Sequence, residues 1–263
     1  MNIPDFPLPS DMTTVIKFRV PTVADCMSFA ELDINYEEQL TTQYLNMIQV
    51  GDINDAGNWT GEDRRTALWW IFISTREDKS IVYSYHCDIC DEDHYPSIDM
   101  TSLGETAVTI NGQPYRDIEF SHDGKVIKAN VHPLTGYSLE HLEQLKNVRD
   151  SHTQGTVPYR KAANELSLYE MLHSFDTENQ PEDKNEALAF KRQLVETMAV
   201  DSEFRPLAAK IEMALRQMRH GLLSKYKDGG YLLLAKRKPC AKEGDQLMPI
   251  LIPFHASTFI PGL

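Results

Sequence analysis

Basic side chains are scarce in this 263-residue chain: 26 Lys and Arg stand against 39 Asp and Glu, a formal charge of −13. A surface biased this way repels phosphate backbones over most of its area, which argues against broad clamping of nucleic acid. Long apolar runs are missing too, and none approaches the roughly 20 residues of a bilayer-crossing helix, so no membrane partner is expected. The first thirty residues lack the basic start, apolar centre and small-residue cleavage site of a secretory signal, so a cytoplasmic location is expected. Catalytic signatures are also lacking. There is no Gly-x-Ser-x-Gly elbow, no phosphate-binding Gly-x-x-x-x-Gly-Lys-Ser/Thr loop, no His-Glu-x-x-His pair and no Gly-x-Gly-x-x-Gly helix opening. An enzyme is therefore not the expected class. Internal repeats and low-complexity tracts are absent as well.

What is present is the composition of a globular protein, with 41% hydrophobic and 25% charged residues. The length lies above one average domain and below two, which suggests a core domain with an appended module. Pro4, Pro7 and Pro9 alternate with Ile3, Phe6 and Leu8, which predicts an extended arm whose apolar residues could dock on a neighbour. Thr13 to Val20 reads as a strand, followed by a helix from Pro21 to about Leu32 and a second from Tyr36 to Val50. Gly51 to Asp63 reads as a solvated turn, because its Asp and Asn residues miss the register of a calcium loop. The continuous apolar run Ala67 to Ile73, led in by Glu62, Asp63, Arg64 and Arg65, reads as the central core helix.

From Ser80 the pattern changes to short β-branched and aromatic runs. Ser80–His86, Tyr95–Met100, Thr106–Ile110, Tyr115–Phe120 and Lys125–Val131 are separated by the turn signals Asn111-Gly112 and Ser121-His122-Asp123-Gly124, which predicts a small antiparallel β module. Helical spacing returns at Ser138 and continues through Ala162–Phe175 and Ala187–Met198. A last helix from Pro206 carries a seam of Phe204, Leu207, Ile211, Leu215, Met218 and Leu222, suited to a helical hairpin. The segment Gln246 to Leu263 is apolar but broken by Pro249, Pro253 and Pro261, so it reads as a ribbon lying on its own body or on a partner. The expected fold class is α+β, with an N-terminal strand and helix region (1–79), the β module with a zinc-knuckle-like hairpin (80–135) and a helical region with an apolar tail (136–263).

The sharpest local motif is Cys87-Asp88-Ile89-Cys90, with His94 four residues on. Two cysteines so spaced at a hairpin turn aim both sulfurs into one tetrahedral corner, half of a structural zinc site, and His94 can supply a third ligand. His122 and Cys240 are the candidates for a fourth. A redox pair, a short-range disulfide and a knuckle that keeps its shape without metal are the competing readings. His86, His132, His141, His173 and His255 read as solvated or satisfied side chains. Between Asp201 and Cys240, nine basic residues face four acidic ones, a local +5 against −18 elsewhere. That segment reads as a solvated helix back or as a dock for an acidic protein surface.

The order of these features resembles the T4-type phage baseplate hub assembly proteins. The likeness is carried by Lys17-Phe18-Arg19-Val20-Pro21-Thr22-Val23, then by Tyr83 to Leu103 with Cys87, Cys90 and His94 ahead of Ser97-Ile98-Asp99-Met100-Thr101-Ser102-Leu103, and it covers about the first 135 residues. The resemblance implies a tail assembly factor or hub component acting without catalysis on other phage tail or baseplate proteins in the host cytoplasm, with a possible place in the virion tail. A second class is a zinc-ribbon adaptor contacting nucleic acid or the transcription machinery, motivated by the cysteine pair and the +5 segment.

Overall fold

The computed structural model describes residues 2–29, 34–110, 112–237, 240 and 248–260. In chain order the elements are β1 (Phe6–Leu8), β2 (Asp11–Ile16), α1 (Val23–Ser28), α2 (Glu37–Met47), α3 (Gly61–Thr75), β3 (Ser80–Val82), β4 (Tyr85–Cys87), β5 (Glu92–His94), β6 (Ser97–Asp99), β7 (Arg116–His122) and β8 (Lys125–Val131). They continue with α4 (Gly136–Asp150), α5 (Val157–Leu172), β9 (Phe175–Thr177), α6 (Lys184–Glu196), α7 (Arg205–Gln217), β10 (Ser224–Lys227), β11 (Gly230–Arg237), β12 (Met248–Pro253) and α8 (Ala256–Phe259). The fold is mixed α+β, built from helices and small antiparallel sheets. Among the described residues no helix is long and apolar enough to cross a membrane.

Two compact units emerge, and neither is continuous in sequence. One comprises Met1–Ala56, Glu62–Thr109 and His220–Leu263; the other comprises Gly57–Gly61 and Ile110–Arg219. The segment expected as one β module is therefore shared, with β3 to β6 in the first unit and β7 and β8 in the second. Thr106–Ile110, expected as a strand, forms only a bridge through Val108 to Gly221. Gly221 holds φ +68°, a left-handed backbone that glycine adopts without strain, and its N–H donates to the Val108 carbonyl at 2.7 Å.

The first unit is organised by α3. Acidic Glu62 and Asp63 favour its N-terminus, and Ala67, Leu68, Ile71 and Phe72 bury an apolar surface on more than one side. Its polar lead-in is buried as well: Asp63 and Arg64 are 0% exposed and Arg65 5%. Glu38 of α2 pairs with both guanidinium groups, and Arg65 also lies 3.5 Å over the Tyr231 ring of β11. Burial of a charge is tolerable only with such partners. The N-terminal arm is not a free extension. It turns back as the β1–β2 hairpin, with Ile3, Phe6 and Leu8 buried and the Trp70 indole donating to the Pro4 carbonyl at 3.0 Å. α1 opens with a capping box in which Thr22 and Asp25 satisfy each other's backbone N–H groups. The expected end of that helix, near Leu32, lies outside the described residues.

The C-terminal third departs most from the helical region expected there. After α7 the chain forms the three-stranded sheet β10–β11–β12, which belongs to the first unit. The tail is also buried at home: Ile252, Phe254, Phe259 and Ile260 are each below 10% exposed, and Phe259 meets Phe72 edge-on at 5.4 Å. Its prolines explain its place. The Phe254 N–H donates to the Tyr231 carbonyl, so residues 249, 251 and 253 direct their backbone polar groups away from β11. Two of those three lack an N–H, which blunts the open edge against strand addition.

In the second unit, α7 packs on the sheet β7–β8–β9, with Leu207, Ile211, Ala214 and Met218 against Phe120, Ala129, Val131 and Phe175. The seam read as a helical hairpin is thus a helix-on-sheet face, and Leu222 belongs to the other unit. α4 and α5 lie side by side, joined by a 2.8 Å hydrogen bond between His141 Nδ1 and His173 Nε2.

Candidate metal centre

β4 and β5 pair in register as Tyr85 with His94, His86 with Asp93 and Cys87 with Glu92. The four-residue turn between them needs one left-handed position, taken by Asp91 at φ 61°, and the Asp91 N–H closes the turn on the Cys87 carbonyl at 2.8 Å. This geometry brings Cys90 back over Cys87 and sets His94 beside both. The Tyr85 ring stacks on the His94 imidazole at 5.4 Å and an interplanar angle of 19°, which fixes the imidazole plane.

The fourth group comes from far away in sequence. Cys240 follows β11, and its sulfur lies 3.9 Å from the Cys87 sulfur, while the Cys90 sulfur is 3.0 Å from His94 Nε2. The donor atoms of Cys87, Cys90, His94 and Cys240 all lie within 4.8 Å of one another. A tetrahedral ion with metal–sulfur bonds of about 2.3 Å needs sulfur–sulfur edges of about 3.8 Å, which the Cys87–Cys240 pair already meets. The sulfur–nitrogen edge of about 3.5 Å requires Cys90 and His94 to part slightly on metal entry. Both Cys87 and Cys240 are buried, which keeps this corner away from solvent. No disulfide joins the cysteines.

The electrostatics favour the thiolate at one position. The Cys87 thiol is drawn below its usual range first by the Cys90 amide aimed at its sulfur, helped by the Ile89 amide. Burial pushes the Cys90 thiol up, against a hydrogen bond from the Glu92 amide. Three sulfurs and one imidazole form a closed set with no position left for a substrate, the arrangement of a structural site. No family model, curated protein or solved structure matches this chain. The residues themselves therefore carry the functional reading.

Of the sequence-predicted ligands, Cys87, Cys90 and His94 converge, and Cys240 joins them. His122 does not. It sits in the second unit, where Nδ1 lies 3.2 Å from Glu203 Oε2 and Nε2 faces the Thr197 hydroxyl. Glu203 also accepts the backbone N–H groups of Asp123 and Ala199, so this second acidic cluster is a brace for the β7–β8 turn. Three of the other histidines have carboxylate partners: His86 bridges Asp91 and Asp93, His132 meets Asp176, and His255 lies 3.6 Å from Glu37.

One Ser/Asp/His grouping went unnoticed in the sequence because its members are 53 and 157 residues apart. Ser10 donates to Asp63 through both its hydroxyl (2.5 Å) and its N–H (2.9 Å), and His220 Nε2 lies 3.8 Å from Asp63 Oδ1. The carboxylate, not the imidazole, holds the hydroxyl, and all three residues are buried. A nucleophile–base–orienter relay needs the opposite order, so the group ties the β1–β2 turn to α3.

Proposed function

We propose that this chain is a noncatalytic assembly protein of the T4-type baseplate hub class, held in shape by one structural zinc ion bound by Cys87, Cys90, His94 and Cys240. The observation that carries the zinc is the convergence of Cys240 on the β4–β5 hairpin, which completes a three-sulfur, one-nitrogen set. That donor softness suits zinc over the harder magnesium and calcium. Bound there, zinc would supply a cross-link between a hairpin and the C-terminal sheet. The assembly role rests on the resemblance carried by Lys17–Val23 and Tyr83–Leu103, with other tail or baseplate proteins as partners in the host cytoplasm.

The burial of Ile3, Phe6 and Leu8 and of Ile252, Phe254, Phe259 and Ile260 narrows how such contacts are made. The N-terminal arm and the apolar tail are spent on the chain's own core, so partners meet exposed sheet and helix faces instead. A nucleic-acid adaptor is the weaker reading. The nine basic residues counted between 201 and 240 are divided between two units, and Arg205 and Arg216 are already paired, to Asp201 just ahead of α7 and to Glu212 within it. Near the exposed lysines of β10, Tyr226 packs on the buried Tyr231 at 4.9 Å, which leaves no aromatic platform for a base.

Affinity purification of the tagged full chain from phage-infected bacteria tests the role. The expected outcome is stoichiometric recovery of tail or baseplate proteins that survives nuclease treatment. Recovery of nucleic acid with salt-sensitive affinity, and of no tail protein, contradicts it.

A further inference from the structure

The four donors at the β4–β5 hairpin sort into two close pairs. The Cys87 and Cys240 sulfurs stand 3.9 Å apart, while the Cys90 sulfur sits 3.0 Å from His94 Nε2. The first pair joins residues 153 positions apart in sequence, and the second lies within one hairpin. The pairs also differ in access. Cys87 and Cys240 are buried, whereas Cys90 and His94 are only half-buried and form the side that a small solute reaches. Cys26, also half-buried, lies outside the cluster.

Closing the Cys87 and Cys240 sulfurs from 3.9 Å to a disulfide length of about 2.05 Å takes about 2 Å of travel, shared between two side chains. A bond from Cys87 to Cys90 has less freedom. The turn that carries both is already fixed by the left-handed Asp91, whose N–H is held by the Cys87 carbonyl.

We propose that this corner is a two-electron thiol switch, in which hydrogen peroxide joins Cys87 to Cys240 and so exchanges a metal cross-link for a covalent one. The inference rests on the zinc reading above, because sulfur that ligates a metal is thiolate, the reactive form. Peroxide enters past Cys90 and His94. The Cys87 thiolate attacks one peroxide oxygen, the O–O bond breaks, hydroxide leaves, and Cys87 carries a sulfenic acid. The Cys240 thiolate then attacks that sulfur; the S–S bond forms, the S–O bond breaks and a second hydroxide leaves. Two thiolates have lost two electrons, and one peroxide has become two hydroxide ions. Cys90 and His94 remain, two donors of the four that a closed site needs, so zinc is released. The hairpin stays clasped, because the new bond spans the same two points, Cys87 on the hairpin and Cys240 after β11. A reducing thiol reverses the change by disulfide exchange.

Disulfide mapping of the full-length chain tests it, with zinc release read in the same samples. Metal content before peroxide scores the zinc reading on its own, and the map scores this inference on zinc-loaded and metal-free chain alike. With hydrogen peroxide in excess, free thiols should fall from four to two and the mapped bond should be Cys87 to Cys240, with one zinc released per bond from the loaded chain. Cys26 should stay open to alkylation, Cys26→Ser should behave as the wild type, and dithiothreitol with added zinc should restore the starting state. Hydrogen exchange supplies the structural readout: β4 and β5 should keep their protection in the oxidised chain and lose it in reduced chain stripped by a chelator. Thiols that stay reduced, a bond from Cys87 to Cys90, or oxidation of Cys26 at the same rate overturns the proposal. A bond that leaves zinc in place, or an oxidised hairpin that exchanges like the stripped one, overturns it too.

Discussion

At the residue scale, Cys240 distinguishes a closed metal site from a decorated turn. Cys87, Cys90 and His94 are supplied by eight consecutive residues of one hairpin, and a three-ligand site of that kind leaves an open coordination position. With Cys240 the set closes. Cys240→Ser should therefore let a chelator strip the ion under conditions that leave the wild-type chain loaded, as a zinc-release assay would read, whereas Cys26→Ser should change nothing. His173 supplies a second residue-level expectation. Burial, with the neighbouring His141 next in effect, pushes its pKa down to about 3, from an ordinary 6.5. Its folded-state pKa is depressed, so the native state holds the neutral ring. The stability contributed is whole above about pH 6.5 and is lost as pH falls toward 3, on the order of 2 kcal/mol by pH 5. Asp176, held below its usual range first by His132, loses its own contribution at lower pH still. Urea unfolding at pH 7 and pH 5 checks this: His173→Gln should flatten the dependence, and an unchanged slope would reject the assignment.

At the element scale, α3 and α7 show why one-dimensional pattern reading succeeded in part. The apolar run Ala67–Ile73 identified α3 as the central helix because burial on several sides leaves no polar stripe to hide the signal. The same reading sees Arg64 and Arg65 only as part of the charged lead-in to that run. Nothing local reveals that Glu38, 26 residues earlier, meets them inside the core. Glu38→Leu should cost about 3–5 kcal/mol, since it removes the carboxylate that pairs with two buried guanidinium groups, and equilibrium unfolding measures it. The periodicity of α7 was also legible, with Leu207, Ile211 and Met218 on one stripe. A stripe records that a face is buried but not what covers it, so a helix was expected where the sheet β7–β8–β9 lies. Leu207→Ala, fully buried on that sheet, should cost about 2–5 kcal/mol. The β10–β11–β12 sheet was missed because β12 is an edge strand whose prolines read as strand breakers. The metal motif was the most legible part of the site: cysteine spacing encodes two ligands locally, while Cys240 could only be offered beside His122, because chain folding alone decides between them.

At the scale of the whole molecule, two discontinuous units share one chain, and the proposed zinc acts in only one of them. All four donors lie in the unit built on α3, whereas the core of Phe120, Val131, Leu172, Phe175 and Ile211 belongs to the other. Removing the ion should thus raise hydrogen exchange across β4, β5, β11 and β12 while α5 and α7 keep their protection. A structural ion in a site of this kind contributes folding free energy directly, so its occupancy is inseparable from the state of the hairpin. The most direct test is native mass spectrometry of the full chain purified without added metal. One zinc ion per folded chain, absent from Cys87→Ser, is the result expected; a folded wild-type chain that carries no metal, and that binds none when zinc is supplied, would contradict the account.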